Sequence, residues 1–190
     1  MLDDHARWTD CGPEAVAAHY IAFMKREGLS AAGLVAEADK MGRPKFDDQV
    51  QWYANRLRDT HDLFHILTGY GRDALGEASV LLFTHGQSPS QGHLLIGYAG
   101  AANIKKMAKG SRAPIFGAVR EAHRTGKGAP QLIAQPIRQL LERPIEDVRA
   151  ELRIPKPQQY RECHRIWQAE GIDPHNLLAS KSAEPELLAA

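Results

Sequence analysis

Apolar residues recur every three or four positions along most of the chain, a spacing that predicts helices packed through one face. No segment shows the sustained alternation of apolar and polar residues typical of half-buried strands. Gly28 and Gly126 mark helix ends, and Ser30 and either Asp47 or Asp48 can cap helix starts. The sequence therefore predicts an all-α fold in a single compact multi-helix domain. The predicted helices cover residues 14–27, 30–40, 48–68, 74–85, 93–106, 114–126, 131–141 and 144–152, with a loop at 42–46.

The helix predicted to end at Thr68 carries two histidines on an otherwise apolar face. Side chains four residues apart on a helix lie one turn above each other, so His61 and His65 can direct both imidazoles at one ion. Asp62 adds a carboxylate at the edge of that face. The face consists of Val50, Tyr53, Leu57, His61, Phe64 and Thr68.

Glu77 is a fourth candidate ligand. It lies twelve residues beyond His65, and at about 100° per residue one unbroken helix would turn it roughly 120° away from the histidines. Gly69 and Gly71 interrupt the helical pattern, and Asp73 can cap a new helix. The sequence therefore predicts a helix-turn-helix hairpin in which Glu77 returns towards His65.

These four side chains favour a divalent metal site. A lone histidine on an apolar stripe is more often hydrogen-bonded within a core, but two histidines and two carboxylates within seventeen residues favour metal binding. We expect zinc, with ferrous iron as the alternative, because this donor set suits both ions. His61, Asp62, His65 and Glu77 are the predicted metal ligands and the predicted catalytic residues.

The same residues carry a resemblance to a known family. The pattern H-D-x-x-H, eleven residues, then E, with L-T-G after the second His and L-G before the Glu, resembles the signature of the fourth Coq protein of ubiquinone (coenzyme Q) biosynthesis. Weaker collinear similarity lies in GPEAVAAHYIAFMKREGLS, in the stretch around residues 126–130 and in RPIEDVRAELRIP. The similarity spans roughly residues 12–155.

The resemblance implies a helical, often dimeric protein that binds a divalent metal and associates peripherally with the membrane carrying the quinone. It further implies organisation of the other ubiquinone-biosynthesis enzymes, and removal of the C1 carboxylate of a polyprenylated 4-hydroxybenzoate, with hydroxylation in the oxidative version. An N-terminal helical region of longer family members has no counterpart in the similarity. We expect residues 1–155 to form the family-like helical domain, and residues 156–190 a C-terminal extension that is helical or partly disordered.

Composition sets the remaining expectations. A net charge of +1 and the lack of interleaved aromatic and basic residues argue against a nucleic-acid partner. Cys11 and Cys163 are single and far apart, so no disulfide framework or cysteine-based zinc site is indicated. The acidic first residues lack the features of an import signal, and no apolar run could span a bilayer. We expect a cytoplasmic protein held peripherally at the inner membrane.

Two segments bear on lipid binding. The stretch HLLIGYAGAANI mixes aliphatic with small residues, which allows close helix packing or leaves room for a polyprenyl chain. Residues 101–128 carry a positive excess, which suits either an anionic leaflet or an ordinary solvated surface. The segment contains one acidic residue, Glu121, and seven basic residues. The basic residues are Lys105, Lys106, Lys109, Arg112, Arg120, Arg124 and Lys127.

Two other functions compete with a decarboxylase. A lipid-binding scaffold would use the metal only to fix the hairpin while other enzymes do the chemistry. A metal phosphohydrolase of the HD type is suggested by the adjacent His61 and Asp62, with His19 and Asp147 as its further ligands. No local pattern supports those two residues, and Glu77 would have no role in such an enzyme.

Overall fold

The computed structural model describes residues 5–8, 10–28 and 49–177, without the side chains of residues 5, 6 and 50–59. Within these ranges the chain is helical and contains no strand, which confirms the predicted all-α fold. The α-helices of these ranges are α1 (Val16–Glu27), α2 (Gln49–Thr68), α3 (Ala74–Gln87), α4 (Gln91–Met107), α5 (Ile115–Gly128), α6 (Ile137–Leu141), α7 (Ile145–Glu151) and α8 (Gln158–Glu170). Short 3₁₀ helices cover His5–Trp8, Leu132–Ala134 and Pro174–Leu177.

Several predicted elements lie outside the described residues. They are the helix at 30–40, the loop at 42–46, the cap by Asp47 or Asp48, and the side chains of Val50, Tyr53 and Leu57.

The predicted helix at 131–141 is wrong. A 3₁₀ turn covers Leu132–Ala134, the chain is extended at Gln135, and α6 begins only at Ile137. Pro136 explains the break, because proline has no N–H to donate and its ring disfavours the helical conformation of the residue before it. The other predicted boundaries that fall on described residues agree with the structure within a few residues.

The described residues divide into two compact units, each built from two stretches of chain. The first comprises residues 1–69 and 130–155, and the second comprises residues 70–129 and 156–190.

In the first unit α1 packs against α2, α6 and α7. The C-terminal carbonyls of a helix have no partner within the helix, and Arg149 of α7 supplies partners for two of them in α2. Its Nε donates to the Leu67 carbonyl at 2.9 Å, and its NH2 group donates to the Ile66 carbonyl at 2.8 Å. Gly69 then leaves the helix with a φ of 77°, a left-handed conformation that glycine adopts without strain. Arg149 and Gly69 thus fix the end of the helix that carries both histidines.

In the second unit α3 packs against α4 and α5. Close approach depends on glycine at both contacts. A Cβ on Gly126 would lie 2.2 Å from the Phe83 carbonyl oxygen, and a Cβ on Gly97 would lie 1.6 Å from a methyl carbon of Leu82. Of the two interpretations of the small residues in α4, the structure therefore supports tight helix packing.

The outer face of α4 is unusually apolar. Leu95 and Ile96 are 72% and 58% exposed, whereas Gly97 faces the unit's interior. The pattern of residues alone did not predict these exposed aliphatic side chains. No helix among the described residues is long and apolar enough to cross a membrane.

The C-terminal helix α8 packs on α5 within the second unit. Its first turn is capped from α5, since the Gln159 N–H donates to a carboxylate oxygen of Glu121 at 2.8 Å. Tyr160, Cys163 and Trp167 form its buried face.

Both cysteines are free, and their surroundings differ sharply. Cys11 is half-buried, whereas Cys163 is fully buried and its burial raises the pKa of the thiol to about 12. Because the thiolate is the reactive form, we expect iodoacetamide at pH 8 to alkylate Cys11 while Cys163 reacts at least about 100-fold more slowly.

Peptide mass spectrometry of a labelling time course measures both rates in one sample. The control is the same reaction in strong denaturant, where both cysteines should react at similar rates. Equal labelling in the native protein would show that α8 does not shield Cys163.

Candidate metal centre

The histidine pair lies on α2 within the first unit. The His61 and His65 ring centroids are 4.9 Å apart with the rings inclined by 67°, as expected for residues one helical turn apart. His65 is 1% exposed, and Phe23 of α1 stacks against it with a centroid distance of 5.8 Å. The side chain of His61 is 40% exposed. One imidazole is therefore set in the core while its neighbour remains open to solvent.

Asp62 is buried beside the pair. It is 4% exposed, and its Oδ1 lies 3.7 Å from His61 Nδ1. Burial of a carboxylate is costly unless a positive or hydrogen-bonding group faces it. The His61 imidazole is such a group beside Asp62. The structure thus brings His61, Asp62 and His65 together at one end of α2.

Glu77 lies in the first turn of α3, in the second unit. Asp73 caps this helix, as predicted, by accepting hydrogen bonds at Oδ1 from the Leu75 and Gly76 N–H groups at 3.1 and 3.2 Å. The Glu77 Oε1 lies 3.4 Å from Arg72 Nε, and its side chain is 31% exposed. Glu77 thus lies four residues after the capping Asp73 and beside the positively charged Arg72.

These donors fit a first-row divalent ion. Imidazole nitrogens and carboxylate oxygens are the ligands that zinc and ferrous iron take from proteins. The side chain of His61 is open to solvent, whereas His65 is buried against Phe23.

The other histidines show different surroundings. His85 stands in the last turn of α3, where its Nδ1 lies 2.9 and 3.0 Å from the carbonyl oxygen and the amide nitrogen of Ser90. Its ring lies 5.0 Å from that of His123, and burial, aided by the charges of His85 and Lys127, lowers the pKa of His123. These contacts hold His85 at the end of α3, beside the start of α4.

The residues nominated for an HD-type site gain no support. His19 and Asp147 are both exposed, whereas Asp62 and His65 are buried.

Sequence reasoning missed three residues around the candidate ligands. Phe23 and Arg72 touch His65 and Glu77, and Arg72 could have been noticed because it adjoins the predicted cap. Tyr160 contacts Asp73 from 87 residues away, and no local signal indicates such a contact.

Comparison with known proteins places the chain among ubiquinone-biosynthesis proteins. The family model described as Coenzyme Q (ubiquinone) biosynthesis protein Coq4 matches residues 4–158. A protein of Arthroderma otae named mitochondrial ubiquinone biosynthesis protein COQ4 is 29% identical over 154 residues, 79% of this chain and 53% of the relative. One of Aspergillus terreus with the same description is 26% identical over 156 residues, 80% of this chain and 50% of the relative.

The chain spans about half the length of the curated relatives it matches. The family match nevertheless covers most of the chain, including all four predicted ligands. The chain therefore belongs to the Coenzyme Q (ubiquinone) biosynthesis protein Coq4 family.

Proposed function

We propose that the residues of the H-D-x-x-H and Glu signature, His61, His65 and Glu77, bind one divalent cation, with Asp62 as a further ligand or as a proton carrier beside it. Zinc is our first choice and ferrous iron the second. The observation that carries this proposal is the pair of adjacent imidazoles on α2, one buried and one open, with a buried carboxylate next to them. Histidine pairs of this kind need a reason to lie on an apolar face, and a bound ion supplies one.

The reaction we propose is loss of the C1 carboxylate from a prenylated 4-hydroxybenzoate. The bond between the ring and the carboxylate breaks, carbon dioxide leaves, and a proton takes its place on the ring. In the oxidative version water supplies the hydroxyl group that replaces the carboxylate, and dioxygen accepts two electrons and two protons and leaves as hydrogen peroxide. A bound ion would supply positive charge against the negative charge that develops on the head group. Asp62 lies where it can hold or deliver a proton beside His61.

A prenylated substrate needs an apolar surface, and the first unit contains one beside the histidines. A small apolar cavity of about 10 Å³, enough for about one water molecule, lies between α1, α2 and α6. Leu63, Phe64 and Leu67 of α2 line it together with Val16 and Leu140. Because Phe64 and His65 are neighbours, a lipid tail could lie against this apolar lining beside the histidines, but only if the lining side chains moved apart to widen the cavity.

Peripheral membrane binding is a related proposal, and α4 supports it. The exposed pair Leu95 and Ile96 can enter the interfacial layer of a bilayer, and no acidic residue occurs between residues 91 and 120. Basic residues near an anionic leaflet contribute about 1 kcal/mol each. The cytoplasmic location expected from the sequence stays a prediction, and both fungal relatives are named as mitochondrial.

Single-turnover assays with a synthetic prenylated 4-hydroxybenzoate test the proposed reaction. We expect zinc- or iron-loaded protein to release carbon dioxide under air, and His65→Ala to release at least about 100-fold less. Release of carbon dioxide and consumption of the lipid are measured together by mass spectrometry. His19→Ala, a change at an exposed histidine of α1, is the matched control and should retain wild-type activity.

The scaffold alternative predicts a different result from the same preparations. Wild-type protein would bind the prenylated lipid and metal, capture hydroxylases or methyltransferases of the pathway, and release no carbon dioxide with either ion. The dimer that the family resemblance implies is a further proposal, and light scattering on the same samples measures it.

A further inference from the structure

The start of α3, which carries Glu77, is held by a side chain from the C-terminal helix. Tyr160 of α8 is 7% exposed, and its hydroxyl accepts a hydrogen bond from the Gly71 N–H at 2.9 Å. The same hydroxyl donates to Asp73 Oδ2 in a short hydrogen bond. One oxygen atom therefore ties the turn before α3 to the residue that caps it.

Asp73 connects the Tyr160 hydroxyl to Glu77 through hydrogen bonds in the first turn of α3. Its Oδ1 accepts from the Leu75 and Gly76 N–H groups, and its own carbonyl accepts from the Glu77 N–H at 3.0 Å. The turn is tightly packed, since a Cβ on Gly76 would lie 1.9 Å from the Gly71 carbonyl oxygen. A shift of Asp73 or Gly71 must therefore move the first turn of α3.

His164, one turn beyond Tyr160, supports the same carboxylate. Its Nε2 lies 3.4 Å from Asp73 Oδ2, and its ring lies 4.4 Å from that of Tyr160. Burial and the nearby Asp73 carboxylate raise the pKa of Tyr160 well above its usual range, so the hydroxyl keeps the proton that it donates. The contact between α8 and the cap is thus present throughout the physiological pH range.

We propose that Tyr160, assisted by His164, is a positioning residue for the metal ligand Glu77. This inference rests on the proposed metal site. It assigns a role to the C-terminal helix, nearly all of which lies beyond residue 158, where the family match ends. The link runs from the Tyr160 hydroxyl through Gly71 and Asp73 to the first turn of α3, and every contact in it lies within the second unit.

Tyr160→Phe tests the proposal by removing a single oxygen while keeping the buried ring. Groups that orient a metal ligand typically contribute 10- to 100-fold to metal affinity, so we expect about tenfold weaker Zn²⁺ binding by competition with a chromophoric chelator. Tyr98→Phe is the matched control, because no hydrogen bond is recorded for this half-buried hydroxyl among the described residues. It should bind zinc as wild type does.

A double-mutant cycle separates positioning from general loosening of the fold. In a Glu77→Gln background the ligand is already changed, so adding Tyr160→Phe should weaken Zn²⁺ binding no further. An equal loss in both backgrounds, or an unchanged affinity in the single variant, would overturn the proposal. Should Tyr160→Phe fold poorly, His164→Leu disturbs the same cap through its longer 3.4 Å contact with Asp73, and we expect it to weaken Zn²⁺ binding, though less than tenfold.

Zinc binding by wild type and by Tyr160→Phe distinguishes failure of the proposed metal site from failure of the positioning role. If wild-type protein binds no zinc, the proposed metal site fails and the positioning role fails with it. If wild type binds zinc and Tyr160→Phe binds it equally well, only the positioning role is wrong.

Discussion

Asp73→Ala is expected to lower the free energy of unfolding by about 1.5–5 kcal/mol. The substitution removes a helix cap, which contributes about 0.5–2 kcal/mol. It also leaves the buried Tyr160 hydroxyl without its acceptor, and an unsatisfied buried polar group costs about 1–3 kcal/mol. Asp73 is 2% exposed, so water cannot replace the lost carboxylate without a rearrangement. Chemical denaturation followed by circular dichroism measures the difference.

A matched control is Asp173→Ala. Asp173 also begins a short helical turn and accepts from the His175 N–H at 2.9 Å, but it is exposed. We expect this substitution to cost less than about 1 kcal/mol, because solvent satisfies the groups left behind. Similar losses at Asp73 and Asp173 would contradict the buried network described here.

The effect of Asp73→Ala should depend on pH. Burial alone would raise the pKa of Asp73, but the neighbouring His164 and Tyr160 side chains outweigh it, so the pKa lies below its usual value. A lowered pKa means that the carboxylate stabilises the folded protein above the unfolded-state pKa of about 4, and that this contribution is lost as the pH falls through the folded value. The difference between wild type and Asp73→Ala should therefore narrow below about pH 4.

Local features of the fold were predictable from sequence because their causes are local. Gly28, Gly69 and Asp73 act on the residues beside them, and the structure places each at the expected helix end. Pro136 is equally local, and the helix predicted across it shows that an apolar pattern does not override a missing N–H.

Contacts between distant residues were not predictable in the same way. The hydrogen bond from Tyr160 to Asp73 joins residues 87 apart, and neither residue type nor spacing indicates such a pairing. The exposed Leu95 and Ile96 were missed for a related reason. Periodicity identifies an apolar face but not whether another helix covers it.

The candidate site also combines features that were predictable from local sequence with features that depend on packing. The four-residue spacing of His61 and His65 is a property of one helix, and the structure shows their rings side by side. Burial of Asp62 against this pair depends on packing and could not be read from spacing. Participation of Glu77 in metal binding stays a prediction, supported by the short connection from Gly69 to Asp73 and by the family signature.

Removal of either histidine is expected to lower zinc affinity by at least about 100-fold, since each ligand of a structural zinc contributes a few kcal/mol. His61→Ala is the more informative variant, because its side chain is 40% exposed and its loss should disturb packing less than the loss of the buried His65. His65→Ala removes a side chain that is 1% exposed and stacked on Phe23, so it should also lower stability. Thermal unfolding with and without zinc measures both effects.

The response to zinc separates the two effects. A ligand present at about 100 times its Kd stabilises the folded state by about 2.7 kcal/mol, so wild-type protein and His19→Ala should both melt at higher temperature with zinc. His61→Ala should show no rise in melting temperature when zinc is added, whatever its melting temperature without zinc. An undiminished rise in His61→Ala would mean that zinc binds elsewhere, and that the His61 and His65 pair is a packing feature of α2.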